Sequence, residues 1–441
     1  MKRLFYIKDS IDNRINYYHL LFFLLALPFD RLYSELILIS FLFHTLIFLK
    51  KDKLQNFSSR LLVLQSVFFV TLVSATYAIS VARGFDTVAK QLAIFLFPLL
   101  LALAAPGIRK HRSRLLSGFS LGCTATIAYL FAAALYVILY YHLPLKSLFS
   151  RAFINHNFAL PIGMHATYLS MLLVIAIVYF LQEVFNPNTK KGKQYMIACL
   201  LILLAGLMQL SSKSVLFSLL VIVNTAFPFF AIPKEKRKRF ILVSLSISVL
   251  LVLFMLSVDV FRNRYTNMLK DDLYQNTGVV VENSRADRWN AAFDLIKHSP
   301  VAGTGSGSEI PLLKELYFER KMYVAYIESL NVHNQYLSFL INSGVIGLIV
   351  YLFTLSWGFR QSFKNRDVLF FSFMVLVSVV SFSEDILDVN KGIFFYSFFF
   401  SFFLLMKRDH KSYIIHKRQP RRKIDVYNII SRTMQPEITE N

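Results

Sequence analysis

Cysteine is nearly absent from this chain of 441 residues, which contains only Cys123 and Cys199. Both lie in long apolar runs, so the sequence supports neither a disulfide framework nor a zinc site. Charged residues are also scarce, at 17% of the chain, whereas 56% of the residues are hydrophobic and 44 are phenylalanine. This composition is too apolar for a soluble globule, and the chain is too long for a single anchor. We therefore expect an all-α polytopic membrane protein.

The apolar runs between charged breaks predict about twelve membrane-spanning helices. The predicted spans lie near residues 17–29, 35–49, 61–82, 92–106, 115–141, 165–184, 194–210, 214–232, 240–260, 335–356, 367–383 and 393–406. Several are shorter than the ~20 residues that a span needs, so they are expected to extend into polar flanks. No small-residue cleavage site follows the first run, which we interpret as an uncleaved span and not as a signal peptide.

The basic residues predict the orientation of these spans. Lys and Arg, 48 in all, concentrate in alternate connections such as 50–60, 109–114 and 234–239. The positive-inside rule places those connections and both termini in the cytoplasm. The formal net charge of +22 is therefore mainly an orientation signal, and no nucleic-acid partner is expected. The basic tail is expected to lie against anionic membrane lipid.

This orientation divides the chain into four regions. Residues 1–260 carry the first nine spans with short loops, and residues 261–334 form one large, partly helical external loop. Residues 335–406 carry the last three spans, and residues 407–441 form the cytoplasmic tail. Long ordered loops are usually functional, so the active site is expected in the large loop. No internal repeat is visible, which argues against the transporter folds that are built from repeats.

The large loop contains the start of a helix. Residues 284–287, Ser-Arg-Ala-Asp, have the spacing of a capping box, and apolar residues follow at helical spacing. Arg285 and Arg288 lie on one side of its polar N-terminus, where N–H groups and the helix dipole favour an anion. Guanidinium groups add paired donors that suit phosphate, so a pyrophosphate would fit there. The alternative is that both arginines pair with Glu282 and Asp294 on a hydrated helix.

Two polar turns have competing interpretations. The glycine-rich segment 303–309 would either wrap a phosphate with its N–H groups or form a flexible turn. The turn is favoured, because no strand precedes the segment and no Gly-Lys-Ser/Thr follows. Lys213 lies at a tight external turn among serines. From the residues alone, a lysine extending to the membrane surface is favoured there over a phosphate contact.

A third turn, between the last two predicted spans, is acidic. It contains Glu384, Asp385 and Asp388, with Lys391 close behind. Solvated charge is the favoured interpretation, and a weak contact to a cation or to an acceptor sugar is the alternative.

His333 is the candidate catalytic residue, because it stands where a polar loop enters an apolar run. An ionisable group at membrane depth is functional by default. Asn334 follows it, and after nine more residues come Gly344 and then, two residues further, Gly347. This spacing resembles the signature of the O-antigen ligases: His, then Asn, Ser or Gln, nine residues, Gly, two residues, Gly. The predicted spans, cytoplasmic termini and large external loop also resemble the plan of that family.

The resemblance implies a GT-C-like fold and a glycosyltransferase of lipopolysaccharide biosynthesis. Such an enzyme transfers a polysaccharide from undecaprenyl pyrophosphate to lipid A-core at the periplasmic face of the bacterial inner membrane. The resemblance also implies that neither a nucleotide nor a metal or other cofactor takes part. Its polar partners are then the lipid-linked glycan donor and the lipid A-core or other glycan acceptor. Single displacement would invert the anomeric centre.

The resemblance also implies roles for individual residues. His333 would act on the acceptor hydroxyl, a task that suits a neutral imidazole near pH 7. Arg285, Arg288 and Lys213 would hold the pyrophosphate, the two arginines as part of the catalytic set. Lys213 departs from the family, which usually has arginine there, and a lysine binds phosphate as a point charge.

Asn334, Gly344 and Gly347 would be structural parts of the motif. Two other functions stay open from the sequence. An O-antigen or exopolysaccharide polymerase of the same superfamily differs only in using another lipid-linked glycan as acceptor. A lipid-linked oligosaccharide transporter would be expected to place charges within several spans along a path. Here the charged positions collect at external ends, which favours chemistry on one face.

Overall fold

The computed structural model describes residues 2–29, 31–186, 192–273 and 284–407, and the regular structure within these ranges is helical. Glu282 and most of the basic tail, 408–441, lie outside the described residues. The α-helices in chain order are α1 (Lys2–Phe5), α2 (Ile11–Ala26), α3 (Arg31–Ile47), α4 (Lys51–Leu54), α5 (Ser59–Ala75), α6 (Val81–Lys90), α7 (Leu92–Ile108), α8 (Arg112–Tyr140), α9 (His156–Ala159), α10 (Ala166–Phe185), α11 (Lys193–Leu210), α12 (Lys213–Val221), α13 (Phe227–Ala231), α14 (Lys234–Ser257), α15 (Asp259–Tyr265), α16 (Asn267–Leu273), α17 (Arg285–His298), α18 (Glu309–Glu319), α19 (Tyr323–Ile327), α20 (Gln335–Lys364), α21 (Val368–Val380) and α22 (Asn390–Leu405).

Several of these helices have the length and composition of membrane spans. Among the described residues, six helical stretches are long and apolar enough to cross a membrane. They are Val81–Tyr140, Ala166–Phe185, Lys193–Leu210, Lys213–Ala231, Lys234–Ser257 and Gln335–Lys364. A helix also lies at each of the other predicted spans, including the shorter apolar helices α5, α21 and α22. The expectation of an all-helical membrane protein is confirmed, and the count of about twelve crossings stays a prediction.

The helices differ sharply in how much of their surface is covered by protein. Every residue of α10 from Ala166 to Phe180 is buried, and so is every residue of α22 from Gly392 to Leu404. These two helices form the centre of the bundle. In contrast, only 11% of the most apolar stretch of α14 is buried inside the protein. An apolar helix that turns most of its surface outward is suited to contact with lipid chains.

The helix that follows His333, α20, is broken at Gly344. This residue has φ +61° and ψ −162°, which a helix cannot contain. The chain after α17 fills the break. The N–H groups of Thr304 and Gly305 donate to the carbonyls of Ile341 and Asn342, at 2.8 and 2.9 Å. The last carbonyls of the first half-helix are thereby capped.

The second half-helix is capped by the same segment. The N–H groups of Val345 and Ile346 donate to the carbonyls of Pro300 and Val301, at 2.8 and 3.4 Å. A broken helix in a membrane must have its freed backbone groups satisfied by protein, and the residues around 300–305 supply those partners. The large loop is therefore joined to the membrane bundle through the backbone of α20.

The glycine-rich segment 303–309 contains turns, the interpretation that the sequence analysis favoured. Its glycines allow close backbone contact with α6 and with the turn between α5 and α6. A Cβ atom on Gly305 would lie 2.2 Å from Ala78 Cα, and one on Gly307 would lie 2.7 Å from the Arg83 carbonyl. The N–H groups of Thr304, Gly305 and Ser306 donate to protein carbonyls, those of Ile341, Asn342 and Ser74, and so already have acceptors.

The predicted helix at residues 284–287 is confirmed. The Ser284 hydroxyl accepts from the Asp287 N–H at 3.1 Å, and the Asp287 carboxylate accepts from the Ser284 N–H at 3.3 Å. These two bonds complete the capping box at the start of α17. The sequence analysis assigned no helix to residues 83–91, whereas the structure has α6 there.

We predict that Gly344→Ala destabilises the protein far more than a matched glycine substitution. An added Cβ would lie 2.1 Å from the Val301 carbonyl oxygen, and the backbone angles of Gly344 fall in a region essentially restricted to glycine, at a further cost on the order of 1–3 kcal/mol. Gly163→Ala is the control, because Gly163 has φ +62° and open space around it. Thermal unfolding in detergent gives the melting temperature of each variant. Equal melting temperatures for the two variants would contradict the tight contact at the break.

Candidate functional site

His333 lies in the segment 331–335, which leads into α20, and its backbone is strained. Its φ of +49° is unusual for a residue with a side chain and costs on the order of 1–3 kcal/mol. The side chain is 31% exposed, and its Nδ1 lies 3.5 Å from Glu384 Oε2. A strained residue persists only where its surroundings hold it, so the contacts of the neighbouring residues decide the position of the imidazole.

Two buried carboxylates hold the peptide groups on either side of His333. Glu309 Oε1 accepts from the Val332 N–H at 3.2 Å, and Asp385 Oδ1 accepts from the Asn334 N–H at 2.8 Å. Burial raises the pKa of both acids, and for Asp385 the nearby carboxylates raise the pKa further. The sequence analysis did not single out Glu309, because nothing local marks a partner that lies 23 residues away.

Helix α17 holds the same segment from another side. Arg288 Nη1 donates to the Asn331 carbonyl at 3.1 Å, and Trp289 Nε1 donates to the Val332 carbonyl at 2.9 Å. Arg288 is only 6% exposed. Arg285 and Arg288 therefore differ in their surroundings, although both lie in the first turn of α17. Asp294, the expected partner in the alternative interpretation, instead pairs with Lys297 and Arg320.

Asn334 begins α20 as its N-cap. Its Oδ1 accepts from the N–H groups of Tyr336 and Leu337, at 3.0 and 3.3 Å. The next residue, Gln335, donates its N–H to the Ser381 carbonyl and accepts from the Leu387 N–H through Oε1, at 2.8 and 2.7 Å. The start of α20 and the turn between α21 and α22 are thus bonded to each other.

The interpretation of that turn as solvated charge is wrong. Asp385 is 2% exposed, and the Glu384 side chain is 13% exposed. Burial raises the pKa of Glu384, but the His333 hydrogen bond and the attraction of His165, His333 and Arg285 outweigh it, so the pKa is lowered. Glu384 Oε1 also accepts from Thr167 Oγ1 at 3.2 Å. Glu384 is therefore an ionised partner of the imidazole.

Lys391 does not belong to the acidic cluster. Its Nζ donates to the carbonyls of Leu27 and Phe29, at the end of α2. These bonds anchor the start of α22 to the residues that follow α2.

Further basic residues surround Glu384 on this side of the segment. The rings of His156 and His165 lie 4.2 Å apart, and burial followed by the charge of Arg264 lowers the pKa of His156. Arg264 Nε donates to the Ser211 carbonyl at 2.9 Å, two residues before Lys213 begins α12. Sequence reasoning missed Arg264, because no motif distinguishes it among the basic residues of the large loop.

The arrangement combines an imidazole and a carboxylate with several cations. The carboxylate orients the ring for proton transfer, and the cations favour a bound anion. Among residues 2–29, 31–186, 192–273 and 284–407, no group of three or more His, Cys, Asp or Glu side chains is placed to hold a metal ion. The site is thus suited to acid–base chemistry beside a negatively charged ligand.

Residues 197–352 match a family model described as O-antigen ligase. The match covers about a third of the chain and includes Lys213, the large loop and the whole motif from His333 to Gly347. It confirms the family resemblance that the sequence predicted. No curated protein matches the chain.

We predict that Asp385→Ala loosens the His333 segment and that Asp385→Asn does not. Alanine leaves the Asn334 N–H buried without an acceptor, at a cost of about 1–3 kcal/mol, whereas asparagine keeps the accepting oxygen. Amide hydrogen exchange of peptides covering 331–335 measures the effect. Asp294→Ala, on the exposed side of α17, is the control. Equal exchange in the alanine and asparagine variants would contradict this role of Asp385.

Proposed function

We propose that this protein is an O-antigen ligase, which transfers a polysaccharide from undecaprenyl pyrophosphate to lipid A-core at the periplasmic face of the inner membrane. The pairing of His333, which lies within the O-antigen ligase match, with Glu384 is the observation that carries the proposal. The site needs no cofactor for this chemistry, since the donor already has a pyrophosphate leaving group. Membrane lipid surrounds both substrates.

His333 is the general base in this proposal. Glu384 interacts with Nδ1, so Nε2 is the atom that takes the proton of the acceptor hydroxyl. The acceptor oxygen attacks the anomeric carbon as the bond from that carbon to the pyrophosphate oxygen breaks. The bonding electrons leave with the pyrophosphate, and the proton stays on His333. Glu384 stabilises the imidazolium that forms, and attack from the opposite face inverts the anomeric centre.

The pyrophosphate is assigned to the cations around Glu384. Arg285 at the N-terminus of α17 and Lys213 at the start of α12 are proposed to bind it, together with Arg264, whose charge acts on His156. Their charge stabilises the negative charge that grows on the leaving group. Of the two arginines in α17, Arg285 is assigned the direct contact, because Arg288 is buried against the Asn331 carbonyl.

The phenotype of a deletion strain tests the proposed acceptor. A ligase deletion should remove all polymer from lipid A-core while lipid-linked polymer accumulates. Shortened polymer that is still attached to lipid A-core would instead identify a polymerase of the same superfamily. Loss of polymer from lipid A-core with the lipid-linked glycan trapped on the cytoplasmic side would identify a transporter.

We predict that His333→Ala lowers transfer by ~10² to 10⁴-fold, the usual loss of a general base. Glu384→Gln should lower it less, because the ring keeps a polar partner but loses the charge that stabilises the imidazolium. Transfer is measured in membranes with equal amounts of folded protein. His298→Ala is the matched control, since this histidine is exposed in the same loop. Near-normal transfer by His333→Ala would rule out the proposed base.

We predict that Arg285→Lys restores only part of the activity that Arg285→Ala loses. Lysine keeps the charge but not the paired donors. Lys213→Arg should keep the transfer activity, and Lys213→Ala should lower it. Initial rates are measured with undecaprenyl-pyrophosphate-linked glycan in chelator. Full activity of Arg285→Ala would remove that residue from the site, and loss of wild-type activity in chelator would contradict a metal-independent mechanism.

A further inference from the structure

A second polar space adjoins the His333 segment. This cavity of about 590 Å³ lies between the end of α5, the start of α20, helix α6 and the start of α18. Asn331 and Gln335 line it, whereas His333 between them pairs with Glu384. The volume falls in the range of ~300–1,000 Å³ that small-molecule sites occupy. The cavity thus reaches the residues two positions before and two positions after the residue proposed to act as base.

The lining of the cavity suits a saccharide. Glu309 lines it while accepting from Ser338 Oγ and Asn342 Nδ2, at 2.5 and 3.1 Å. Hydroxyl, amide and carboxyl groups all line the space, and sugar hydroxyls both donate to and accept from such groups. Lys314 adds a positive charge from α18, and Lys90 adds another from α6. Asp86 and Asp388 line the same cavity, so it presents charges of both signs to a polar ligand.

Helix α6 places this cavity beside lipid. Four polar residues of α6 share one helical face and line the cavity: Arg83, Asp86, Thr87 and Lys90. Apolar residues on another face point outward, with Val81 50% and Phe85 47% exposed. A soluble helix would bury its apolar face, whereas this arrangement suits a helix at the membrane surface. Its polar face lines the cavity, and its apolar face is exposed where lipid chains would lie.

We propose that this cavity binds the saccharide headgroup of the acceptor glycolipid, with the lipid chains lying along the apolar face of α6. The proposal rests on the proposed glycosyl transfer. A ligand with a polar head and lipid chains matches both faces of α6 at once. The sugars nearest the lipid occupy the cavity, and the reactive end extends past Asn331 to His333. Donor pyrophosphate and acceptor saccharide then approach the imidazole from the two sides of the segment 331–335.

The test uses the full protein in nanodiscs with rough lipopolysaccharide, which is lipid A-core without polymer, as the acceptor probe. Asp86→Asn and Lys90→Gln are combined, because both side chains are on an exposed helix and neither belongs to the proposed catalytic set. Lys297→Gln is the control, since its side chain is 75% exposed on α17. Initial rates are measured against acceptor at saturating donor, and against donor at saturating acceptor.

The double variant should raise the KM for rough lipopolysaccharide about tenfold, the expected loss for two polar contacts, with the donor KM and kcat within about twofold of wild type. The control variant Lys297→Gln should leave the acceptor KM, the donor KM and kcat unchanged. The delipidated core oligosaccharide should bind wild type more weakly than the intact glycolipid. An unchanged acceptor KM, or an increase in the donor KM instead, would overturn the cavity assignment while leaving the proposed function intact.

Direct binding separates the two proposals. If wild-type protein transfers no glycan, the proposed function fails, and binding of rough lipopolysaccharide to the nanodiscs then tests the cavity alone. Weaker binding by the double variant supports the cavity assignment. Equal binding by wild type and the double variant overturns it.

Discussion

The site depends on the interruption of α20 at Gly344. Breaking a membrane helix frees carbonyls on one side and N–H groups on the other, and these groups are costly unless the protein pairs them. Residues 300–305 pair both sets, so the large loop is fixed to the bundle by backbone bonds and not by side chains alone. The loop that carries α17 and α18 therefore has a defined position relative to the start of α20.

That fixed position allows two distant carboxylates to hold one strained residue. Glu309 begins α18, and Asp385 lies in the turn after α21. Their carboxyl groups accept hydrogen bonds from the N–H groups of Val332 and Asn334, on either side of His333. The strain at His333 is thereby offset by bonds on both sides of the residue. Its ring pairs with Glu384, whose carboxylate also interacts with His165 and with Arg285 of α17. The proposed base and the proposed anion site would thus share one frame, as the proposed transfer requires.

Local patterns predicted much of this fold, and long-range contacts decided the rest. Apolar runs located the helices, and a four-residue capping box located the start of α17. The motif identified His333, but no spacing rule could pair it with Glu384 or connect Asp385 to Asn334, because those partners are distant in the sequence. Helix α6 was missed for a different reason: its short polar stripe between two apolar runs has the appearance of a loop until the cavity beside it is known.

The most direct measurement of the central claim is a product analysis with purified protein. Isotope-labelled undecaprenyl-pyrophosphate-linked glycan and rough lipopolysaccharide are incubated with the protein in nanodiscs, and both lipids are identified by mass spectrometry. Glycosyl transfer predicts one released undecaprenyl pyrophosphate for each glycan attached to lipid A-core, with the anomeric configuration inverted. Recovery of the intact lipid-linked donor beside unmodified lipopolysaccharide, with protein that is folded and binds both, would contradict the account.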